Sequence, residues 1–192
     1  MSLIQEYRRI NKKHKKTVQK RASRIVIGPS VGRVFAKGTV NQIWPVLADM
    51  DLRPLNHIKS QAQFQEYFEQ ALNKLARRIK RTNPENLNPK IYPGYKWGHA
   101  TKILCLFLHD LVMHRDYFND VTASRLVGFL YVPIDGIVMK RLKKLGIRLG
   151  FSQIKQIDNY KTFYDVQKML GQAAQKVGVP RIWFDDNWGD RQ

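Results

Sequence analysis

The residue types best suited to chemistry lie in one stretch, Leu130-Tyr131-Val132-Pro133-Ile134-Asp135-Gly136-Ile137-Val138-Met139-Lys140-Arg141-Leu142-Lys143-Lys144-Leu145-Gly146. An apolar run delivers Asp135 to the start of a helix, because Asp accepts from the free backbone N–H groups there, and Val138, Leu142 and Leu145 then share one helical stripe. Gly146 can close that helix in the left-handed conformation. The opposite face carries Lys140, Arg141, Lys143 and Lys144, side chains that neutralise phosphate. A carboxylate held beside a sugar can stabilise the positive charge that develops as a base departs, and can orient the attacking water, without a metal. Phosphodiester hydrolysis assisted by Mg²⁺ calls for several carboxylates; Asp185-Asp186 is half of such a set, with no third carboxylate at useful spacing. An Asp before a helix is also among the commonest caps in proteins, so Asp135 is either a catalytic carboxylate or a plain cap.

The run Val-Pro-Ile-Asp-Gly-Ile-Val-Met-Lys-Arg-Leu resembles the "V-D-x-x-V-x-R" segment of helix-hairpin-helix DNA glycosylases, most closely the variant in which Gly follows the Asp. The resemblance implies that Asp135 is the catalytic carboxylate. The family's Gly-rich hairpin of the form L-P-G-V-G, upstream of the Asp, has no counterpart here: His114 to Arg125 contains no glycine. Lyase-competent members carry a Lys in that hairpin, and no Lys lies between Met113 and Tyr131. The resemblance therefore implies a monofunctional hydrolase that uses no Schiff base, needs no cofactor, and leaves an abasic site after flipping its target nucleotide out of double-stranded DNA. The base expected is a damaged or modified one, such as the glucosylated hydroxymethylcytosine of phage DNA.

The chain has 192 residues and a net charge of +19. That charge repels itself unless a polyanion neutralises it, and nucleic acid is the commonest such partner. No apolar run is long enough to span a bilayer and the amino terminus has no apolar signal core, so a soluble, cytoplasmic monomer is expected, nucleoid-associated if bacterial, with no membrane partner. The single cysteine, Cys105, excludes an internal disulfide and a Cys-cluster metal site, and within Ile103-Leu104-Cys105-Leu106-Phe107-Leu108 it reads as a buried, inert thiol. The absence of Gly-rich phosphate loops after strands argues against a nucleotide-binding α/β fold.

Along the chain, residues 2–24 suit a helix with Leu3, Ile4, Tyr7 and Ile10 at helical spacing, followed by a basic stretch including Arg8, Arg9, Lys12, Lys13, Lys15 and Lys16. This is either an arm that follows a phosphate backbone or a solvated helix. Arg24 to Phe35 suggests a short extended or hairpin element, and Trp44-Pro45 and Arg53-Pro54 read as breakers. Ser60 and Gln63 form a capping-box signal ahead of the stripe Phe64, Phe68, Leu72, Leu75 and Ile79; Arg77 and Arg78 at its end suit phosphate. The Pro- and Asn-rich segment 82–94 reads as a loop. After it comes an apolar helix ending near His114, whose first turn offers Trp97, His99 and Lys102 either as the rim of a base-reading pocket or as packed, capping and solvated residues. Val121 to Leu130 suits a short helix. Another begins near Asp158, turns Phe163, Val166, Leu170, Ala173, Ala174 and Val177 inward, and stops at Gly178-Val179-Pro180. In the tail, Trp183 and Phe184 read as docked on the core and Asp185-Asp186 as a solvated pair.

The expectation is a mainly α protein: residues 1–24 a basic arm, residues 25–192 one compact multi-helix domain resembling a reduced helix-hairpin-helix glycosylase, with at most a short β element. A non-catalytic DNA- or RNA-binding protein using the same basic faces is the alternative, and a metal-dependent nuclease a weaker third.

Overall fold

The computed structural model describes residues 2–27, 35, 38–79 and 95–186. Among them eight α-helices and no strand are found, so the protein is mainly α. The segment expected to be a loop at 82–94 and most of the expected hairpin lie outside the described residues.

Helix α1 (Leu3–Ile25) starts with a complete capping box: Ser2 accepts from the Gln5 N–H, and the Gln5 side chain accepts from the Ser2 N–H. It runs through Ile25, further than the β-branched pair Ile25-Val26 suggests. Leu3, Ile4, Tyr7 and Ile10 are exposed, whereas Val18, Gln19, Ala22 and Ser23 are buried where α1 packs on α2 (Thr39–Ala48) and on the central helix.

Pro45 lies inside α2 and does not break it. An interior proline forfeits one helix bond and costs ~3 kcal/mol, which full burial of Ile43 and Leu47, at ~1.5–3 kcal/mol each, offsets. Pro54 likewise sits in the first turn of the 3₁₀ segment Arg53–Asn56, where its missing N–H has no helical partner to lose.

In α3 (Gln61–Ala76), Ser60 accepts from the Gln63 N–H as expected, but the Gln63 side chain accepts from the Lys59 N–H, one residue before the cap. The stripe from Phe64 to Ile79 is buried.

Helix α4 (Tyr95–Met113) is the hub, packed against α1, α3, α5 (Asp120–Val127) and the 3₁₀ turn Ile154–Gln156. Gly98 permits the last of these: a Cβ there would lie 1.8 Å from the Ile154 carbonyl oxygen. Cys105 is buried, and burial pushes its thiol well above the ordinary range.

Between α5 and α6 (Gly136–Lys144), residues 130–135 have no regular secondary structure and Asp135 is extended; Pro133 itself disfavours helix at Val132. Two features fix this segment. Gln167, buried in α7 (Tyr160–Lys176), accepts from the Val132 N–H at 2.9 Å and donates to its carbonyl at 2.8 Å. Tyr131 meets Phe64 and Phe68 of α3 and Phe163 and Tyr164 of α7.

Three stripe assignments need correction. Leu145 is 65% exposed, because α6 ends at Lys144 and Gly146, at φ +76°, turns the chain away. The last turn of α7 projects past the core, leaving Ala173 and Val177 exposed, while Gln167 occupies a stripe position. In the C-terminal segment Arg181 donates to the carbonyls of Leu130 (2.9 Å) and Phe129 (3.0 Å), and it fastens α8 (Trp183–Asp186) to the fold. Ile182 and Asp185 are buried there and Phe184 is half-buried, but Trp183 is exposed; the tail carboxylate at 185 is thus not solvated and the indole is not docked.

Candidate functional site

Asp135 caps α6. Its Oδ1 accepts from the Ile137 N–H at 2.9 Å and the Val138 N–H at 3.0 Å, leaving Oδ2 to face elsewhere. What it faces is Lys102 of α4, whose Nζ donates to Oδ2 at 3.1 Å. The two side chains are only 19% and 13% exposed, so the pair is largely sheltered from water. Burial pushes the carboxyl upward, but the adjacent Lys102 charge, the Val138 N–H, the Lys102 hydrogen bond and the Ile137 N–H together outweigh it and hold the group below its ordinary value. The result is an ionised carboxylate, fixed in orientation by a helix end and by a cation from a second element.

The other two residues expected at this rim have different neighbours. Trp97 stands edge-on to Tyr160 of α7 at 4.6 Å between ring centres, and His99 is buried with its ring edge-on to Phe35 at 5.5 Å. Both arrangements suit packing.

The cations fall into two neighbourhoods. Arg77 and Arg78 are exposed and, with Lys74, border a cleft of about 730 Å³ between α2 and α3. Arg8, Lys12, Lys15 and Lys16 border a second, of about 470 Å³, together with Arg53 and Tyr117; Asp49 and Met50 belong to both, so the two adjoin. Lys15 lies over the Tyr117 ring at 5.3 Å, Arg9 is paired with Glu6, and Lys13 is exposed. On α6, Lys140, Lys143 and Lys144 are exposed, but Arg141 is half-buried and donates to the Phe184 carbonyl at 3.3 Å, which makes it a brace for the tail as much as a surface charge.

Comparison with family models, curated proteins and solved structures finds no match for the chain. Function must therefore be read from the geometry. Among the described residues no group of three His, Cys, Asp or Glu side chains is placed to hold a metal ion, and no helix is long and apolar enough to cross a membrane.

Two residues position the site in ways that the motif around Asp135 does not reveal. Lys102 is the one Lys or Arg in residues 97–113, and a cation in a helix buried nearly all round needs a counter-charge; that was the available signal. Gln167 falls four residues after Phe163 on the buried stripe of α7, where an amide must find partners for all its polar atoms.

Proposed function

We propose that the protein is a monofunctional DNA glycosylase that uses Asp135 to hydrolyse the bond between deoxyribose and a damaged or modified base. The observation that carries this reading is the Lys102–Asp135 pair: a sheltered, ionised carboxylate with one oxygen engaged by α6 and the other held by a single ammonium. A plain helix cap needs only the first of these. As the base leaves, the carboxylate stabilises the cationic sugar and orients the water that attacks it, while Lys102 keeps the carboxyl ionised. Exposed cations on α6, α1 and the end of α3 supply the phosphate contacts that offset the few kcal/mol needed to flip a nucleotide out. A glucosylated hydroxymethylcytosine is the bulky candidate base.

The test is alkali-dependent strand cleavage in EDTA on labelled duplexes containing uracil, oxidised purines, alkylated bases or glucosylated hydroxymethylcytosine. Cleavage on one substrate, only after alkali, without a borohydride-trapped adduct and lost in Asp135→Asn, is the expected result. Equal cleavage by that variant would return Asp135 to a structural cap.

A second reading, non-catalytic binding of DNA or structured RNA, is favoured by one observation. The adjoining clefts of α1 and α3 gather cations, and none of the residues bordering them belongs to α6 or to segment 130–135. Binding with no product on any substrate would select it.

A further inference from the structure

Between the outer face of α6 and α8 lies an open cleft of about 680 Å³. Its walls are Ile137, Lys140, Lys144 and Leu145 on one side and Trp183 and Phe184 on the other, with Arg141 at the back tied to the Phe184 carbonyl. The neighbours of Trp183 are used for packing: Ile182 is fully buried and Phe184 is half-buried against the core. Trp183 itself is 52% exposed, and Leu145 beside the same cleft is exposed too. The indole offers a flat apolar face and the two lysines beside it offer charge, a combination that suits an occupant both flat and anionic. Lys140 and Lys144 are one helical turn apart on one face, close enough to hold one phosphodiester from both sides. None of the described residues bordering the cleft is acidic.

We propose that this cleft is a nucleotide subsite, in which Trp183 stacks on one unpaired base while Lys140 and Lys144 hold the phosphate next to it. An indole accepts any base by its π face, so the subsite is sequence-tolerant. The cleft also adjoins Asp135: Ile137, one of its walls, donates its N–H to Asp135 Oδ1. The subsite rests on the nucleic-acid part of the function proposed above and not on the chemistry of Asp135.

The experiment compares binding of the full chain to a fluorescein-labelled thymidine 12-mer and to an abasic 12-mer of equal charge, followed by anisotropy. The wild type binds the thymidine strand roughly tenfold or more tightly than the abasic one, the order expected for one stacked base. Trp183→Ala removes that preference with an unchanged melting midpoint, and Trp183→Phe keeps most of it. Lys140→Gln with Lys144→Gln weakens both strands alike and lowers the salt slope by about 0.7 for each phosphate that is no longer neutralised. A preference unaltered in Trp183→Ala overturns the subsite, as does loss of binding to phosphatidylserine vesicles in that variant with strand binding intact, which would make the cleft a lipid-surface site. If neither strand binds the wild type, the nucleic-acid reading falls and the subsite with it. Trp183-dependent binding without base release from any duplex removes the glycosylase reading and leaves the subsite standing.

Discussion

The foot of α6 and the outer half of α1 are both strongly charged, and they differ in how each charge is held. At α6 a single carboxylate and a single ammonium, 33 residues apart in sequence, meet at 3.1 Å with little exposure and with backbone N–H groups fixing the carboxylate from below. On α1, Arg8, Arg9, Lys12, Lys13 and Lys16 stand in solvent, and the ion pair there, Arg9 with Glu6, spans less than one helical turn. Water screens the second set, so each charge adds little to stability and is free to meet a phosphate. Shelter makes the first set directional, which suits chemistry at one atom. Many loosely held charges suit affinity; one tightly held charge suits a reaction.

The largest expected effect falls on the sheltered site. Asp135→Asn keeps the cap, because Asn also accepts from N–H groups, but loses the charge; base release should fall ~10³-fold while duplex affinity holds, and the melting midpoint should drop because the sheltered Lys102 loses its counter-charge. Comparable rates would erase the contrast between the two regions. Gly98→Ala tests the scaffold behind Lys102. The new methyl would collide with the Ile154 carbonyl, and parting the turn from α4 should cost at least ~2 kcal/mol. That corresponds to a fall of about 4–8 °C in the midpoint read by circular dichroism. An unchanged midpoint would mean the turn is not tied to the hub.

Replacing Lys12, Lys13, Lys15 and Lys16 together by Gln should weaken duplex binding about tenfold or more at moderate salt. The slope of log K against log salt should fall by up to about 3.6, and the release rate at saturating DNA should be unaltered. A lower rate at saturation would place α1 in the chemistry.

Lys102→Met sharpens the electrostatic side. With the ammonium gone, burial prevails, the Asp135 pKa rises, and the acid limb of the release rate moves to higher pH; Lys102→Arg should restore it. The same pair contributes to stability with a definite sign. The folded pKa lies below the ordinary 3.8, so the contribution is complete above that value and is lost as pH falls through the folded pKa. An acid limb that stays in place in Lys102→Met would show that the ammonium does not set the carboxyl. The smallest effect is expected for Glu6→Gln, where an exposed pair is removed and no change in melting midpoint should be measurable.

Much of the fold follows from short-range rules, and the sequence alone determined it. Ser2, Ser60, Asn119, Asp135 and Asn159 are all N-caps, and each is announced by its type and by the periodic run after it. The apolar character of residues 103–108 marked the hub, and the placement of Asp135 at the foot of a basic helix was legible for the same reason. Capping and periodicity are settled within a turn or two, so the residues that decide them are neighbours in the chain.

Tertiary structure decided what crosses that distance. Pro45 reads as a breaker until Ile43 and Leu47 are given a core to enter. Leu145 and Val177 fit their stripes by spacing, yet each lies where its helix has ended or outrun the core. Lys102 becomes the partner of Asp135 only when α4 and segment 130–135 come together, with Gln167 gripping Val132 across 35 residues and Arg181 gripping Leu130 across 51. Those bonds form between groups that no local pattern pairs. The same docking buries Ile182 and leaves Trp183 in solvent, because consecutive residues of a helical turn point in different directions and only one of them can face the core.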